Sequence, residues 1–286
     1  ATDMKKYTYG KQHEVLLHGE TLALPINTTD KSGCCVQMLD KTFEQMIVML
    51  SHYSKVSMIR IDLKMRSYTG NNADLSNFID EFKDQIQVEY KNKEKAINKK
   101  RVAQGKPKIS YDIKRIGYVW GREYEKAENK NQHYHLHLLF DGHIVQSVWT
   151  ISQIAKRMIS SLSRYHIFGK HSHVNEVKIL TRDDLESFAD AFKWASYPTK
   201  ERGKGYRDKT ANDYSTSRIK PNMDKMHLVF PQLIQRKIDD TPEFELTMCE
   251  QPQPRPTKPK PHRITTNRVK QQAVNDAQLD LFDNVA

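Results

Sequence analysis

The sequence predicts an α+β protein whose sheet is largely antiparallel and flanked by helices. Three observations support this prediction. Segments with the apolar spacing of helices alternate with short apolar segments typical of strands. Two aromatic-rich segments flank one polar turn, which is the pattern of a β-hairpin. Hydrophobic residues make up 37% of the 286 residues, which is enough for one core with polar appendages.

The helices and strands follow from the spacing of the apolar residues. In residues 39–53, Phe43, Met46, Ile47 and Leu50 recur at the spacing of one helix face. Further helices are predicted at 74–88, 148–162 and 183–194. Strands are predicted at 56–65, 115–125, 133–140 and 173–180, with 226–230 closing the sheet.

The chain divides into a folded body and two terminal regions. Residues 1–38 are predicted to be an N-terminal extension, and 39–245 the main domain. Five prolines between residues 251 and 270 prevent a helix there, because proline lacks the backbone N–H group. Residues 246–274 are therefore predicted to be a disordered, flexible linker rich in Pro, Lys and Arg, and 275–286 a separate terminal peptide.

The charge of the chain indicates a polyanionic partner. The chain has 46 Lys+Arg against 35 Asp+Glu, a net charge of +11 and a pI near 9.3. Nucleic acid is the first candidate, and a merely basic enzyme is the alternative. Basic residues concentrate in 91–108, 193–220 and 251–270. The predicted DNA-binding residues are Lys99, Lys100, Arg101, Arg202, Lys204 and Arg207.

Several classes of protein are excluded by composition. No apolar run has the roughly 18 residues that a membrane span needs, so no membrane partner is expected. The first residues lack the apolar segment of a signal peptide. Only three cysteines occur, and Cys34 and Cys35 are neighbours, so no disulfide framework is readable. We therefore expect a cytoplasmic protein.

Three alternating histidines indicate a metal site. In a strand, His133, His135 and His137 project from one face, and the apolar residues between them project from the other. Imidazoles two residues apart on a strand can bind one divalent ion. If Glu125 pairs with His133 across the turn, Glu123 lies opposite His135 and completes a site of two imidazoles and a carboxylate.

Two alternatives remain open at this site. The ion-binding pair is either His133 with His135 or His135 with His137. Glu123 is instead an ordinary surface charge if the register of the hairpin differs by one residue.

A histidine, one bulky residue and a second histidine on a central strand resemble the motif that names the HUH endonucleases. The chain resembles their rolling-circle replication initiators, and most of all the filamentous-phage gene II product family and its prophage relatives. The resemblance covers about residues 40–230. Its motifs, in order, are Arg60-Ile-Asp-Leu-Lys64, Arg122-Glu-Tyr124, His133-Tyr-His135 and Tyr197-Pro-Thr-Lys200.

The resemblance implies a metal-dependent, sequence-specific endonuclease that nicks and rejoins single-stranded DNA. Tyr197 would form a 5′-phosphotyrosine intermediate, Lys200 would neutralise the phosphate, and Mg²⁺ or Mn²⁺ would be the cofactor. Pro198 disfavours helical dihedrals at Tyr197, so the tyrosine is expected where its helix ends. Tyr206 and Tyr214 are the other candidate nucleophiles.

The implied role is the initiation of rolling-circle replication of a phage, prophage or related element. No P-loop motif is present in the sequence, so helicase and polymerase would come from the bacterial host. Two alternatives remain: a single-strand transposase or relaxase of the same fold, and a non-catalytic DNA-binding regulator.

The terminal peptide contains a second motif. Gln278, Leu279, Leu281 and Phe282 resemble the short peptide that binds the bacterial sliding clamp. An extended peptide of this kind places apolar side chains in a preformed groove. The alternative is a terminal helix packed on the body. The preceding proline-rich linker favours a tethered peptide, with the host clamp as its partner.

Overall fold

The computed structural model describes residues 7–124, 132–160, 168, 172–205 and 207–239. These parts of the chain contain nine β-strands and five α-helices. The strands are β1 (Tyr7–Thr8), β2 (Gln12–Leu17), β3 (Glu20–Pro25), β4 (Cys34–Cys35), β5 (Lys55–Lys64), β6 (Gly117–Tyr124), β7 (Gln132–Asp141), β8 (His173–Thr181) and β9 (Tyr214–Thr216). The helices are α1 (Val36–His52), α2 (Ala73–Ala103), α3 (Trp149–Met158), α4 (Leu185–Ala195) and α5 (Pro231–Asp239).

A five-stranded antiparallel sheet organises the molecule. Its strand order is β8-β5-β7-β6-β9, and every neighbouring pair is antiparallel. Two-stranded sheets are formed by β1 with β4 and by β2 with β3. The α+β prediction with a largely antiparallel sheet is confirmed. The predicted linker and terminal peptide, 246–274 and 275–286, lie outside the described residues.

One predicted strand was wrong. Residues 226–230 do not close the sheet, because Met223–Leu228 is a 3-10 helix and β9 forms that edge beside β6. Val229 and Phe230 gave the segment its strand-like apolar character. Both are fully buried, but they enter the core from the end of a turn, where Phe230 packs edge-on against Phe188 at 5.1 Å.

The two faces of the sheet carry separate parts of the core. One face packs on α2 and α3, where Phe78, Phe82 and Ile154 are buried. The opposite face packs on α1 and α4, where Met46 and Phe192 are buried. The candidate site residues lie on this second face, beyond the end of the apolar packing.

Strand β7 lies at the centre of this arrangement and fixes the orientation of its histidines. Tyr134, Leu136 and Leu138 are buried in the core with α2 and α3. Burying an apolar side chain of this size stabilises the fold by about 1.5–3 kcal/mol. A shift of one residue would bring imidazoles into that apolar core, so the packing holds the alternate residues on the other face.

The first residues contribute to the same core. Val15 and Leu24, in β2 and β3, are buried with residues of α1 and α4. The segment 1–38, predicted to be an extension, thus supplies a hairpin that packs on the main domain in its described part.

Helix α2 is longer than the predicted helix 74–88, since it ends at Ala103.

Among the described residues, no helix combines the length and hydrophobicity that a membrane span needs.

Candidate metal centre

The hairpin of β6 and β7 brings the first two site residues together. Glu123 lies opposite His133, and Gly121 lies opposite His135. The predicted register, in which Glu125 pairs with His133 and Glu123 with His135, was wrong by two residues. A shift by an even number keeps each side chain on its face, so Glu123 still points toward the histidines. Glu125 itself lies outside the described residues.

Glu123, His133 and His135 form one compact cluster. The Oε2 atom of Glu123 lies 3.2 Å from Nε2 of His133 and 3.5 Å from Nε2 of His135. One ligand atom from each residue lies within 4.8 Å of the others. Of the two pairs left open by the sequence, the cluster therefore contains His133 and His135.

The cluster fits a divalent metal ion. The Nε2 atom of His135 is buried and has no hydrogen-bond partner among the described residues. A buried polar atom without a partner is costly, and a metal ion would use its lone pair. Two imidazoles and one carboxylate form a ligand set that binds divalent ions. Glu123, His133 and His135 are therefore the residues that would hold such an ion.

Asp62 orients His135 from the neighbouring strand β5. It lies opposite His135 on β5, and its Oδ1 atom lies 2.5 Å from Nδ1 of His135. Burial by itself raises the pKa of the Asp62 carboxyl, but hydrogen bonds from His135 and Arg60 outweigh it and hold the pKa well below its usual value. The ionised carboxylate only accepts hydrogen bonds, so Nδ1 carries the hydrogen and Nε2 faces Glu123 as a free ligand atom.

Lys204 lies buried against Glu123. Its Nζ atom lies 3.6 Å from Oε1 of Glu123 and donates a hydrogen bond to the carbonyl oxygen of Arg122 at 2.8 Å. The side chain is 5% exposed, and its assignment as a DNA-binding residue stays a prediction. No pattern in the sequence indicated this burial, because the lysine belongs to a basic, loop-like stretch.

The charges around Glu123 keep its carboxyl ionised. Burial raises its pKa, but the hydrogen bond from His133, the close approach of His135 and the charge of Lys204 outweigh this and hold the pKa well below its usual value. Burial in turn lowers the pKa of Lys204. A carboxylate held in its ionised form is the form that binds a metal ion.

His137 is not part of the cluster. Its ring is fully buried and stacks on Trp194, with the ring centroids 5.0 Å apart. Burial, and then the charges of Arg60 and His135, lower the pKa of His137 well below its usual value, so the ring is neutral. Within the described part of the chain, neither of its ring nitrogens has a hydrogen-bond partner. The prediction of His137 as a possible metal ligand is not supported by this placement.

Tyr197 lies beside the cluster. Helix α4 ends at Ala195, and Tyr197 begins a 3-10 turn, so the expectation that the tyrosine lies where its helix ends is confirmed. Its ring stands edge-on to that of His135, with the centroids 5.5 Å apart. Two cations lie over the same ring: Nζ of Lys200 at 4.5 Å and the guanidinium of Arg60 at 4.8 Å.

The N-terminal segment holds the turn that carries Tyr197. The backbone N–H of Asn27 donates to Oγ of Ser196 at 2.8 Å, and that of Glu201 donates to the carbonyl oxygen of Gly33 at 2.8 Å. Cys34 and Lys200 form an isolated antiparallel bridge. The turn is therefore bonded on both sides to residues that precede α1.

A family model matches residues 18–212 of the chain, which is more than half of its length. The family is described as the YagK/YfjJ C-terminal domain. The chain belongs to this family. The match includes the candidate metal ligands Glu123, His133 and His135 together with Asp62, Tyr197 and Lys200. No curated protein and no solved structure gives a match to the chain.

The name of the YagK/YfjJ C-terminal domain family states no activity, so a function must be inferred from the residues themselves.

The other predicted site residues lie in several places. Arg202 is exposed, while Nε of Arg207 lies 3.1 Å from Oδ2 of Asp213. Lys99, Lys100 and Arg101 lie near the end of α2. Tyr206 and the peptide residues Gln278, Leu279, Leu281 and Phe282 lie outside the described residues.

Two residues of the site in this family member have roles that the sequence analysis missed. Asp62 orients His135, and Arg60 donates from Nε to Asp62 at 2.7 Å while lying over Tyr197. A signal was present: a charged pair at alternate positions of an otherwise apolar strand must share one face. Arg60 and Asp62 share a face with the histidines only because β5 pairs with β7. The sequence alone did not specify that pairing.

Proposed function

We propose that this protein is a metal-dependent, sequence-specific endonuclease that nicks and rejoins single-stranded DNA through a covalent phosphotyrosine intermediate. The observation that carries the proposal is the contact between Tyr197 and His135. A phenol of ordinary nucleophilicity needs an electrophile that is polarised beside it. The ring of Tyr197 packs against a residue that would hold such a polarising ion.

In the proposed reaction, Oη of Tyr197 attacks the phosphorus of one phosphodiester. A bond forms between phosphorus and the tyrosine oxygen, and the bond to the 3′-oxygen breaks. Overall, the proton of the phenol ends on the 3′-oxygen, and the 5′ end of the downstream strand stays on the protein. Attack by a 3′-hydroxyl reverses these changes and rejoins the strand. No outside energy source is consumed, because the phosphotyrosine retains the bond energy.

The residues of the chain have distinct tasks in this scheme. Glu123, His133 and His135 hold the divalent ion, Mg²⁺ or Mn²⁺, which when bound polarises the phosphate and stabilises charge on the 3′-oxygen. Lys200 and Arg60 lie over the ring of Tyr197 and provide positive charge where the phosphate would enter.

We further propose that the reaction initiates rolling-circle replication in the cytoplasm of a bacterial host. The partners would be DNA, the helicase and polymerase of the host, and its sliding clamp through Gln278, Leu279, Leu281 and Phe282. The net charge of +11 supports a polyanionic substrate.

A covalent-capture experiment tests the proposal without a known origin sequence. The protein is incubated with Mn²⁺ and a pool of randomised single-stranded oligonucleotides labelled at the 3′ end, and adducts are isolated under denaturing conditions. We expect a labelled adduct that is absent with EDTA, because a 5′-phosphotyrosine retains the 3′ label. An adduct that retains only a 5′ label would contradict the proposed polarity. Failure to enrich any adduct over repeated rounds would favour a non-catalytic DNA-binding regulator.

The captured sequences also separate two uses of the same chemistry. Enrichment of hairpin ends would favour a single-strand transposase or relaxase. Enrichment of simple origin sequences that are nicked and rejoined supports a replication initiator.

A further inference from the structure

The C-terminal part of α2 extends beyond the body of the protein. The buried residues of this helix end at Tyr90, whereas the helix continues to Ala103. At 1.5 Å per residue, the extension is about 20 Å long. This helical segment, with the non-helical segment that follows it up to Ser110, is here called the arm (residues 91–110).

The arm is braced along its length. Asn98 and Ile109 exchange two hydrogen bonds, in which the Asn98 side chain donates to the carbonyl oxygen at 2.8 Å and accepts from the backbone N–H at 2.9 Å. Glu94 accepts a hydrogen bond from the backbone N–H of Tyr111 at 2.7 Å, and Arg101 donates to the carbonyl oxygen of Pro107 at 2.7 Å. The segment 104–110 therefore braces the helix that carries the cations.

The charge of the arm is almost entirely positive. The arm contains eight Lys and Arg residues and one acid, Glu94. Lys91, Lys95 and Lys99 are spaced four residues apart, so they form one row on the helix surface. All three are exposed, and none has an ion pair among the described residues. Like charges at this spacing destabilise a helix by a few tenths of a kcal/mol each, so the row costs stability in the free protein.

The row lies far from the metal cluster. At its beginning, α2 is bound to β6 beside the cluster, because Arg122 donates to Asn72 at 3.2 Å. Counted along the helix axis, Lys99 lies about 40 Å from Asn72. A group at that distance does not contact the phosphodiester that is cut, so the row has no part in the chemistry.

We propose that the row of Lys91, Lys95 and Lys99 is a docking surface for the phosphate backbone of duplex DNA outside the nicked segment. This inference rests on the proposed function and adds a second, duplex contact to it. A rigid row with a rise of about 6 Å between cations suits a stiff strand of regularly spaced phosphates. A single-strand surface uses aromatic side chains on which bases stack, and the arm contains none.

The test compares binding of duplex and single strand by a variant that lacks the row. In the triple variant, Lys91→Gln, Lys95→Gln and Lys99→Gln remove three charges but keep good helix formers. Binding to a mixed-sequence duplex of about 30 base pairs is measured by anisotropy over a range of salt concentrations, with EDTA present to prevent cleavage. The control variant, with Arg218→Gln, Lys220→Gln and Lys225→Gln, removes three exposed cations outside the arm.

We expect the arm variant to bind the duplex at least about tenfold more weakly, with a salt slope reduced by about 2 to 3, because each phosphate contact releases close to one counterion. The control should change little, and replacement of the three lysines by arginine should restore binding. Circular dichroism checks that the helix remains. Nicking of a single strand that spans only the cut site should be unchanged in the arm variant.

Three results would overturn the duplex surface: equal duplex binding by arm variant and wild type, an equal loss in the control variant, or an equal loss for duplex and single strand. The binding measurement needs no metal and no cleavage. Its failure is therefore distinct from failure of the proposed endonuclease, which is read as the absence of an adduct in the wild-type protein.

Discussion

Asp62 and His135 lie directly opposite each other on β5 and β7, and their side chains share a hydrogen bond of 2.5 Å. This contact fixes the imidazole so that Nε2, and not Nδ1, faces Glu123. Carboxylate partners of this kind orient metal-binding histidines and raise their basicity. Asp62 would therefore support a metal ion bound at the candidate site without being one of its ligands.

The first prediction concerns this support. Asp62→Asn keeps the size of the side chain but removes its charge, so we expect Mn²⁺ affinity to fall by about 10- to 100-fold while the fold is retained. Isothermal titration calorimetry measures the affinity. The matched control is Asp141→Asn, at the far end of β7, which should bind the ion as the wild type does. If the Asp62 variant binds Mn²⁺ as tightly as the wild type, Asp62 does not support the metal ligands.

The second prediction concerns the nucleophile. Tyr197→Phe removes one hydroxyl without changing charge, so we expect adduct formation to be abolished and DNA affinity to stay within about twofold. The measurement is denaturing electrophoresis of labelled DNA with protein. Tyr214→Phe is the control, because the hydroxyl of Tyr214 donates a hydrogen bond to Oε1 of Gln37 in α1. An adduct that persists and maps to Tyr206 or Tyr214 would show that another tyrosine is the nucleophile.

The third prediction concerns the ligands. Glu123→Gln preserves shape but removes the charge that binds the ion, and His135→Ala removes the central ligand. We expect both variants to lose adduct formation at limiting Mn²⁺, and His137→Ala to lose less than His135→Ala. Adduct yield against Mn²⁺ concentration measures the effect. Wild-type yield from the His135 variant at limiting Mn²⁺ would contradict the metal site.

Much of the fold was predictable because local patterns determine it. The apolar spacing of α1 and the alternation in β7 predict a helix and a strand with buried apolar side chains, and both are confirmed, although β7 is buried on its second face as well. The hairpin register was not predictable, because registers that differ by two residues place the same side chains on the same faces of the sheet. The choice between metal ligands also required the fold, because only the fold shows that Glu123 lies opposite His133 and that His137 stacks on Trp194.

Long-range contacts account for the rest. Lys204 and Asp62 are separated from Glu123 and His135 by many residues, so no local pattern links them. A basic loop residue is ordinarily solvated, and only the folded chain brings Lys204 to a buried carboxylate. Whether residues 246–286 form a linker and a peptide stays a prediction from composition.

The fourth prediction concerns Gly121, which faces the turn that carries Tyr197. A Cβ atom there would lie 2.9 Å from atoms of Pro198 and 3.2 Å from Met38. Gly121→Ala must therefore displace the turn, and a misplacement of about 1 Å can cost about 100-fold in rate. We expect slow adduct formation, measured in single turnover, with Mn²⁺ affinity retained.

The control for this change is Gly10→Ala, because a Cβ atom at Gly10 meets nothing closer than 3.5 Å. That variant should form adduct at the wild-type rate. If Gly121→Ala also reacts at the wild-type rate, the position of Tyr197 does not depend on the close approach of Pro198.

The fifth prediction concerns the terminal peptide. Deletion of residues 277–286 should leave nicking of a short oligonucleotide intact, because the proline-rich linker separates the peptide from the site. It should abolish binding to the bacterial sliding clamp, as should Leu281→Ala combined with Phe282→Ala, which leaves the apolar pockets of the clamp empty. The matched control is Asp280→Ala, since that side chain lies between the anchoring positions.

The peptide would bury little surface, so its affinity should be modest, on the order of micromolar. Calorimetry with the purified clamp and a peptide spanning residues 275–285 measures it. A clamp contact would give a replication initiator a route to the host polymerase. Absence of heat at tens of micromolar, which is above the expected dissociation constant, would contradict clamp binding. Loss of oligonucleotide nicking in the deletion variant would instead favour a terminal segment that packs on the body.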